Sequence, residues 1–424
     1  MKLPKSILFF FLFFSAIGFS QETFKVMFYN LLNFPLQEPQ SRIQHLDLIL
    51  NDYKPDIFMV CELNNAEGAL GILNVLQTIN ADYAMANFVL NTSDDTIGNQ
   101  NDLQNLLYYD SSKFILEAQD QITTLYRDFN HYTIKLNTIE QNTDPVFLDA
   151  FVCHLKASDG EENENLRLQM VNDLETYLNN PFNNFNSSSF TILAGDFNVY
   201  SSDEPAFQEL VSNSNTITFV DPANRIGNWH SNISYLDVFS QSTRTSSGLG
   251  GSIGGFDDRF DFIMTSEYML SNSELFYVSD SYQVYGNNNN PSCFNQEINS
   301  TSCSGSLFSN DIRDALYNFS DHLPVTLEIQ TNQTLSVNDF SSQNLITFID
   351  GKFVTSYLKL KVKFGLIPFK YLNIYNTLGQ KVITVAIDNS GFITEDISHF
   401  SNGIYFIIPD SYESVKPLKF IKTN

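Results

Sequence analysis

The sequence predicts an α/β fold in two parts: a sandwich of two sheets with helices outside, then a small β-sandwich. Three observations predict it. Between Phe24 and about Gln330 period-2 apolar runs far outnumber helical ones, residues 331–344 are polar and rich in Asn, Gln, Ser and Thr, and short strands with turn signals follow from Leu345. A chain of 424 residues exceeds one ordinary domain, so one large unit with a smaller one attached is the natural division. Its 38 Phe and 20 Tyr suit strands, where aromatic side chains pack well on a pleated surface.

The first element is a leader. Lys2 and Lys5 precede the apolar run Ile7 to Ile17, and Gly18-Phe19-Ser20 places small residues just before Gln21. The apolar core is shorter than the roughly 20 residues a membrane span needs, so residues 1–20 read as a signal peptide rather than an anchor. Phe24-Lys-Val-Met-Phe-Tyr then alternates as a strand ending at Asn30. Arg42 to Tyr53 puts Ile43, Leu46, Leu50 and Tyr53 on one helical face, and Pro55 separates that helix from a strand at Ile57 to Cys61. Further strands are expected at Leu106 to Tyr109, Tyr132 to Leu136, Val146 to Cys153, Phe190 to Ala194, Phe260 to Met264 and Val325 to Ile329. Helices are expected at Asn165 to Leu178 and Glu204 to Leu210. Residues 331–344 read as a linker. Beyond it, strands at Tyr357 to Val362, Tyr371 to Tyr375, Lys381 to Ile387, Ile404 to Ile408 and Leu418 to Ile421 are punctuated by Gly379-Gln380 and Asn402-Gly403.

Export permits disulfides, and the four cysteines are not equivalent. Cys61 and Cys153 end apolar runs and read as small buried hydrophobes. Cys293 and Cys303 lie in a polar Asn/Ser-rich loop, where a bridge would restrict a segment with little apolar surface to pack. The formal charge is −25, becoming −27 once Lys2 and Lys5 leave with the leader. Such a balance excludes a broad basic face for gripping nucleic acid. It does not exclude turnover of a polyanion, which needs no tight grip and which divalent ions assist.

Acids and amides gather at strand ends, which a sheet brings to one edge. Asn30 closes the first strand, Glu62 follows Val60-Cys61, Asp196 and Asn198 follow Thr191-Ile-Leu-Ala-Gly, and Asp321-His322 precede Leu323-Pro-Val. These hard oxygen donors suit Mg²⁺ or Ca²⁺ and suit neither copper nor a His/Cys zinc site. His154 and His322 share the strand-end setting and read as functional. His45, His131 and His399 read as surface or packing, while His230, beside the only tryptophan, is open.

Six blocks in order resemble the endonuclease/exonuclease/phosphatase superfamily: Val26-Met-Phe-Tyr-Asn-Leu, Pro55-Asp-Ile-Phe-Met-Val-Cys-Glu, Cys153-His-Leu-Lys, Ala194-Gly-Asp-Phe-Asn, Asp258-Arg-Phe-Asp-Phe-Ile-Met and Ser320-Asp-His-Leu-Pro-Val. The resemblance covers residues 21–330 and implies a four-layer α/β sandwich of two mixed sheets flanked by helices. It implies that Glu62 and Asn30, with Asp321, hold a Mg²⁺, with Mn²⁺ or Ca²⁺ as alternatives. Asp196 and Asn198 would orient the attacking water and the phosphate, Asp196 being a candidate base. His322, held by Asp261, would bind the scissile phosphate or take the water's proton, and His154 would sit across the phosphate. Arg167 and Gln169 are similar to a helix in secreted bacterial relatives, with packing an equal reason for them. The Gly/Ser-rich stretch from Ile226 to Gly255 reads as a substrate-facing loop or a lid.

Leu372-Asn-Ile-Tyr-Asn-Thr-Leu-Gly-Gln-Lys-Val, the Asn402-Gly-Ile-Tyr strand and the basic end Lys419-Phe-Ile-Lys resemble the type IX secretion sorting domain of Bacteroidetes, here over residues 345–424. That implies a cell-surface or secreted protein handled by the type IX machinery, with no stable protein partner otherwise and a monomeric state. The competing functions are an extracellular nuclease on DNA or RNA, a phosphodiesterase or phosphatase on lipid headgroups or small esters, and an adhesin on an inactive scaffold.

Overall fold

Strand pairing in the first unit is organised around two central parallel pairs, one in each of two sheets. In the computed structural model of the chain, residues 21–93, 103–336, 340–341, 346–349, 351–362, 370–387, 392–410 and 415–423 are described. Residues 1–20, read as a signal peptide, and residues 337–339 and 342–344 of the stretch read as a linker lie outside them. The chain forms two compact units, Met1–Ser336 and Val337–Asn424. Thr331 is still in a strand, and Ser336 N donates to Asn137 O, so the first half of that polar stretch belongs to the first unit.

The first unit runs β1 (Glu22–Phe34), α1 (Ile43–Tyr53), β2 (Ile57–Leu63), α2 (Ala66–Ile79), β3 (Tyr83–Met85), β4 (Gln104–Asp110), β5 (Phe114–Ile122), β6 (Phe129–Leu136), β7 (Phe147–His154), α3 (Glu161–Leu178), β8 (Thr191–Asp196), α4 (Pro205–Leu210), β9 (Phe219–Val220), β10 (Asp261–Ser266), β11 (Leu275–Tyr277), β12 (Gln283–Val284), α5 (Asn310–Phe319) and β13 (Val325–Thr331). One sheet has the order β11-β13-β1-β2-β4-β3, with β12 also on β13, and the other β5-β6-β7-β8-β10-β9. β1 and β2 are parallel from Val26↔Ile57 to Asn30↔Cys61. β7 and β8 are parallel from Asp149↔Thr191 to His154↔Asp196. Each pair is flanked by antiparallel strands, β13 and β4 in one sheet, β6 and β10 in the other.

The sheets pack face to face. Phe24 of one meets Phe114 of the other with ring centroids 4.8 Å apart, and Phe28, Val60, Ile134, Val152, Ala194 and Ile263 share one buried core. The alternation expected from Phe24 to Tyr29 gives way to burial on both faces, with every residue from Val26 to Leu32 buried, because the second sheet covers one face of β1 and helices the other. α1, α2 and α5 cover the first sheet; Tyr108 Oη of β4 donates to Ala69 O of α2. α3 and α4 cover the second, where Met170, Val171 and Leu174 pack with Phe151, Leu193 and Phe262. The expected four layers are therefore present. Truncating a core ring such as Phe28 to Ala would cost about 3–5 kcal/mol.

Besides several strands of two to five residues, three longer elements escaped the sequence reading. α2 is capped by Asn65, whose side chain accepts from Gly68 N, but its two glycines obscure the helical signal. α5 is capped by Ser309, and its apolar positions hide among Asn and Asp. β5 is largely polar because it is an edge strand. Cys293 and Cys303 form a disulfide, while Cys61 and Cys153 are free and buried, as expected.

The second unit places β14 (Phe340–Ser341), β15 (Ile346–Phe348), β16 (Phe353–Val354), β17 (Tyr357–Val362), β18 (Tyr371–Asn376), β19 (Lys381–Ala386), β20 (Phe392–Asp396), β21 (Gly403–Pro409), β22 (Val415–Lys416) and β23 (Leu418–Lys422) in order. Sheets β15-β17-β20 and β16-β23-β21-β18-β19 enclose Leu358, Leu360, Ile374, Ile407 and Phe420. This is the small β-sandwich expected. Among the described residues no helix is long and apolar enough to cross a membrane.

Candidate active site

Parallel strands end on the same side, so each central pair delivers two residues to one place. β1 and β2 bring Asn30 and Glu62; β7 and β8 bring His154 and Asp196. The antiparallel neighbours complete the set from their beginnings: Asp261 opens β10 opposite Asp196, and His322 lies on the approach to β13, which begins at Val325. Glycine is required at one point here. A Cβ on Gly195 would fall 2.4 Å from Cys153 O and 2.5 Å from Cys153 Sγ, so only glycine lets β8 lie this close to β7.

Asn30 Nδ2 donates to Glu62 Oε1 and to Asp196 Oδ2, each at 3.0 Å, while its Oδ1 accepts from Leu32 N at 3.0 Å. The nitrogen thus faces the two carboxylates, and the Leu32 N–H uses one of the two lone pairs on the oxygen. Glu62 Oε2 accepts from Asn33 N at 2.9 Å, and Glu62 itself has a left-handed φ of 58°. Such a backbone costs of order 1 kcal/mol or more for a non-glycine residue, offset by the hydrogen bonds that fix its carboxylate.

His154 Nε2 lies 3.5 Å from Asp196 Oδ2 and 4.0 Å from Glu62 Oε1; its Nδ1 is buried with no partner. Its carbonyl accepts from Arg127 Nε at 3.0 Å. His322 Nδ1 donates to Asp261 Oδ2 at 2.7 Å, and His322 Nε2 lies 3.7 Å from Asp196 Oδ2. Gln241 Nε2 is 2.5 Å and Asn30 Nδ2 3.4 Å from that same Nε2. In the neutral tautomer Nε2 accepts from them. With a second proton there, the Gln241 amide must turn its oxygen inward. Asn198, with φ 52°, donates from its backbone N to Asp196 Oδ1 at 3.1 Å and from Nδ2 to Leu155 O at 3.2 Å. Asp321 Oδ2 accepts from Ser252 N at 2.6 Å and faces Gln241 Nε2 at 3.3 Å; Oδ1 has no partner.

Burial of this many acids sets the electrostatics. Burial pushes Asp196 up to about 7, partly offset by His322 and reinforced by Asp261 and Glu62. Glu62 is raised by burial and then by Asp321. Burial, with Arg127 and His322, holds His154 well below its usual value, so it is neutral. Burial opposes a charged His322, but Asp261, Asp321 and Asp196 together raise it well above. Carboxylates held up in this way are short of positive charge. Glu62, His154 and Asp196 each offer a ligand atom within 4.8 Å of one another, as do Asp196, Asp261 and His322. The donors are mostly oxygen, so the set fits a hard divalent cation.

Elsewhere the structure sorts the remaining candidates. Arg167 is fully buried, bonding Glu204 Oε2 at 2.8 Å and the Lys156 and Ser158 carbonyls, so it fixes the segment after His154. His131 stacks on Phe151 and meets Asp149 at 2.8 Å, a packing role. Gln241 and Arg127, which touch His322 and the His154 backbone, were missed because no local pattern distinguishes a Gln between serines or an Arg before Asp-Phe. A cavity of about 560 Å³ lined by Lys25, Lys54, Asp56, Tyr83 and Lys113 lies at the other end of β1, away from this cluster.

Residues 354–423 match the family described as Secretion system C-terminal sorting domain. They are a sorting domain. It marks the chain for export through the type IX system, to the cell surface or beyond. No curated protein matches the sequence. Among solved structures, the chain is similar to the human Nocturnin catalytic domain with bound sulfate anion, at 17% identity and a TM-score of 0.44, over 72% of this chain and 94% of that one. It is also similar to an endonuclease/exonuclease/phosphatase family protein of Bacteroides thetaiotaomicron, at 14% identity and a TM-score of 0.43, over 74% and 96%. A mannosyl-6-phosphatase of Bacteroides thetaiotaomicron gives 14% identity and a TM-score of 0.42, over 72% and 99%.

Proposed function

We propose that the first unit is an exported, divalent-cation-dependent phosphodiester hydrolase, acting as an endonuclease on DNA or RNA. The observation that supports it most is the His322–Asp261 pair at 2.7 Å facing Asp196, with Glu62 and neutral His154 opposite. Asp261 fixes the His322 tautomer and raises its basicity, so Nε2 can hold a phosphoryl oxygen when protonated or take a proton when neutral. Asp196, close to both histidines, orients the attacking water, and its raised value equips it to accept that proton. Asn198 holds the segment after Asp196 in place. His154 lies across the phosphate and stabilises charge building there. Glu62 would hold the cation, with Asn30 aligning the Glu62 and Asp196 carboxylates. Mg²⁺ supplies charge neutralisation on the phosphoryl and leaving oxygens when bound.

The test is parallel digestion of plasmid, RNA and sphingomyelin by the purified chain, with Mg²⁺ or with EDTA. Cleavage of nucleic acid with Mg²⁺ and none in EDTA is expected. Full cleavage in EDTA would remove the cation from this reading. The formal charge of −25 favours a second reading, a phosphodiesterase on lipid headgroups or small esters. Hydrolysis of sphingomyelin alone would select it.

A further inference from the structure

The loop after Gln241 is tied to buried groups. Gly250 and Gly251 are consecutively left-handed, with φ 76° and 74°. Arg244 Nη1 donates to Leu249 O at 3.3 Å and Gly250 O at 3.0 Å, Gln37 Nε2 to Leu249 O at 3.3 Å, and Ser242 Oγ to Ser252 O at 2.7 Å. The shortest tie is Ser252 N to Asp321 Oδ2 at 2.6 Å. The backbone lies so close to that carboxylate that a Cβ on Gly251 would stand 2.6 Å from Asp321 Cγ. Immediately after this tie the chain turns outward: Ser252 and Gly254 are exposed, and Ile253 is 53% exposed.

We infer that Asp321 is a positioning residue, a latch that holds loop 247–255 at the rim of the site, and that the tip Ser252-Ile253-Gly254 contacts the substrate beside the scissile phosphate. Three features support this. One oxygen of Asp321 is already committed to a backbone N–H and a side-chain amide. A charge-assisted hydrogen bond to a backbone N–H is among the stronger ties a carboxylate can make. The residue next to the latch is His322, so the loop's seat and the reacting phosphate's seat share one segment, and Gln241 touches both side chains. A substrate lying against His322 therefore passes the loop tip, whose glycines let its backbone approach closely. The contact half of the inference rests on the hydrolase reading; the latch half does not.

Gly251→Ala removes no carboxylate and sets a methyl against Asp321 Cγ, at a left-handed position strained for alanine, so the loop and the Asp321 side chain must part while every charge is kept. Asp321→Ala frees the loop directly, and Asp321→Asn keeps an oxygen that can accept from Ser252 N. Limited subtilisin digestion of the full chain, read by mass spectrometry, should cut within 247–255 at least 5-fold faster in Gly251→Ala and Asp321→Ala than in wild type or Asp321→Asn. On an oligonucleotide with Mg²⁺, Gly251→Ala, which keeps every charge of the site, should raise KM about 5–10-fold with kcat within about 3-fold and the Mg²⁺ half-saturation unchanged. Equal digestion rates in all four proteins overturn the latch. An Asp321→Asn protein with a protected loop and a Mg²⁺ half-saturation raised 10-fold or more makes Asp321 a metal ligand instead. If wild type turns over no phosphodiester, the hydrolase reading fails while the digestion still decides the latch.

Discussion

Two histidine–aspartate pairs in this molecule have nearly the same geometry and opposite surroundings. His322 and Asp261 meet at 2.7 Å with side chains 4% and 0% exposed, whereas His230 and Asp258 meet at 2.6 Å with the imidazole 52% exposed. Both histidines are raised in spite of burial, His230 by Asp258 and then Asp257, His322 by three carboxylates. Distance alone therefore does not mark a working pair. What differs is that Asp196 and Asn30 converge on the second nitrogen of His322, while His230 Nε2 has no hydrogen-bond partner among the described residues.

The largest effect should come from breaking the buried pair. His322→Ala or Asp261→Asn is expected to lower kcat with Mg²⁺ by two to four powers of ten, the range for losing a positioned acid–base group. Steady-state rates on an oligonucleotide, alongside thermal melting, check this. Near-native turnover by His322→Ala would leave the cluster without its proposed role.

A middle case is a carboxylate buried with no histidine. Glu175 of α3 is 5% exposed, and neither oxygen has a hydrogen bond of normal geometry, although Asn215 lies near enough to offset part of its cost. Burial, then Glu209, pushes it up to about 8 from 4.5. The folded state thus holds a proton that the unfolded state has released, so stability falls as pH rises from about 4.5 to about 8. Glu175→Gln should raise stability at pH 8 by about 1–3 kcal/mol and leave it nearly unchanged at pH 4. Denaturant melts at the two pH values measure the difference; equal shifts at both would mean that the carboxylate is not charged at a cost.

The exposed pair should give the smallest effect. Its raised His230 contributes stability that is present below about 6.5 and fades as pH rises through the folded value, and solvent screening limits it to about 0.5 kcal/mol. His230→Ala should therefore leave the midpoint of unfolding within about 0.5 kcal/mol of wild type and kcat/KM within about 2-fold. A 10-fold loss in kcat/KM would erase the contrast between the pairs and make His230 part of the site.

Much of this was legible in the sequence because strand ends are local features. Asn30, Glu62, His154, Asp196 and His322 each follow or precede an apolar run, and the two sheets do gather them. The apolar alternation of β17 and β23 likewise reveals the second unit. The remainder depended on contacts between distant segments. Gln241 reaches His322 across 81 positions, and Arg127 reaches the His154 carbonyl across 27, with no periodicity to announce either. Which atom of Asn30 faces Glu62 follows from the turn at Leu32, and the two oxygens of Asp321 are distinguished only by a loop some seventy residues earlier. α2 and α5 were obscured by glycines and by polar residues at positions that packing tolerates.

The pairing of β13 with β1 joins residues 325–331 to residues 22–28. A chain emerging from the ribosome carries Glu62, His154 and Asp196 long before Ser320-Asp-His appears, and β1 lacks its neighbour until then. Synthesis is therefore silent: until about residue 330 has been made β13 cannot pair with β1, and His322 is not yet seated against Asp261. Chains ending at Phe319 should accordingly show no hydrolysis of an oligonucleotide.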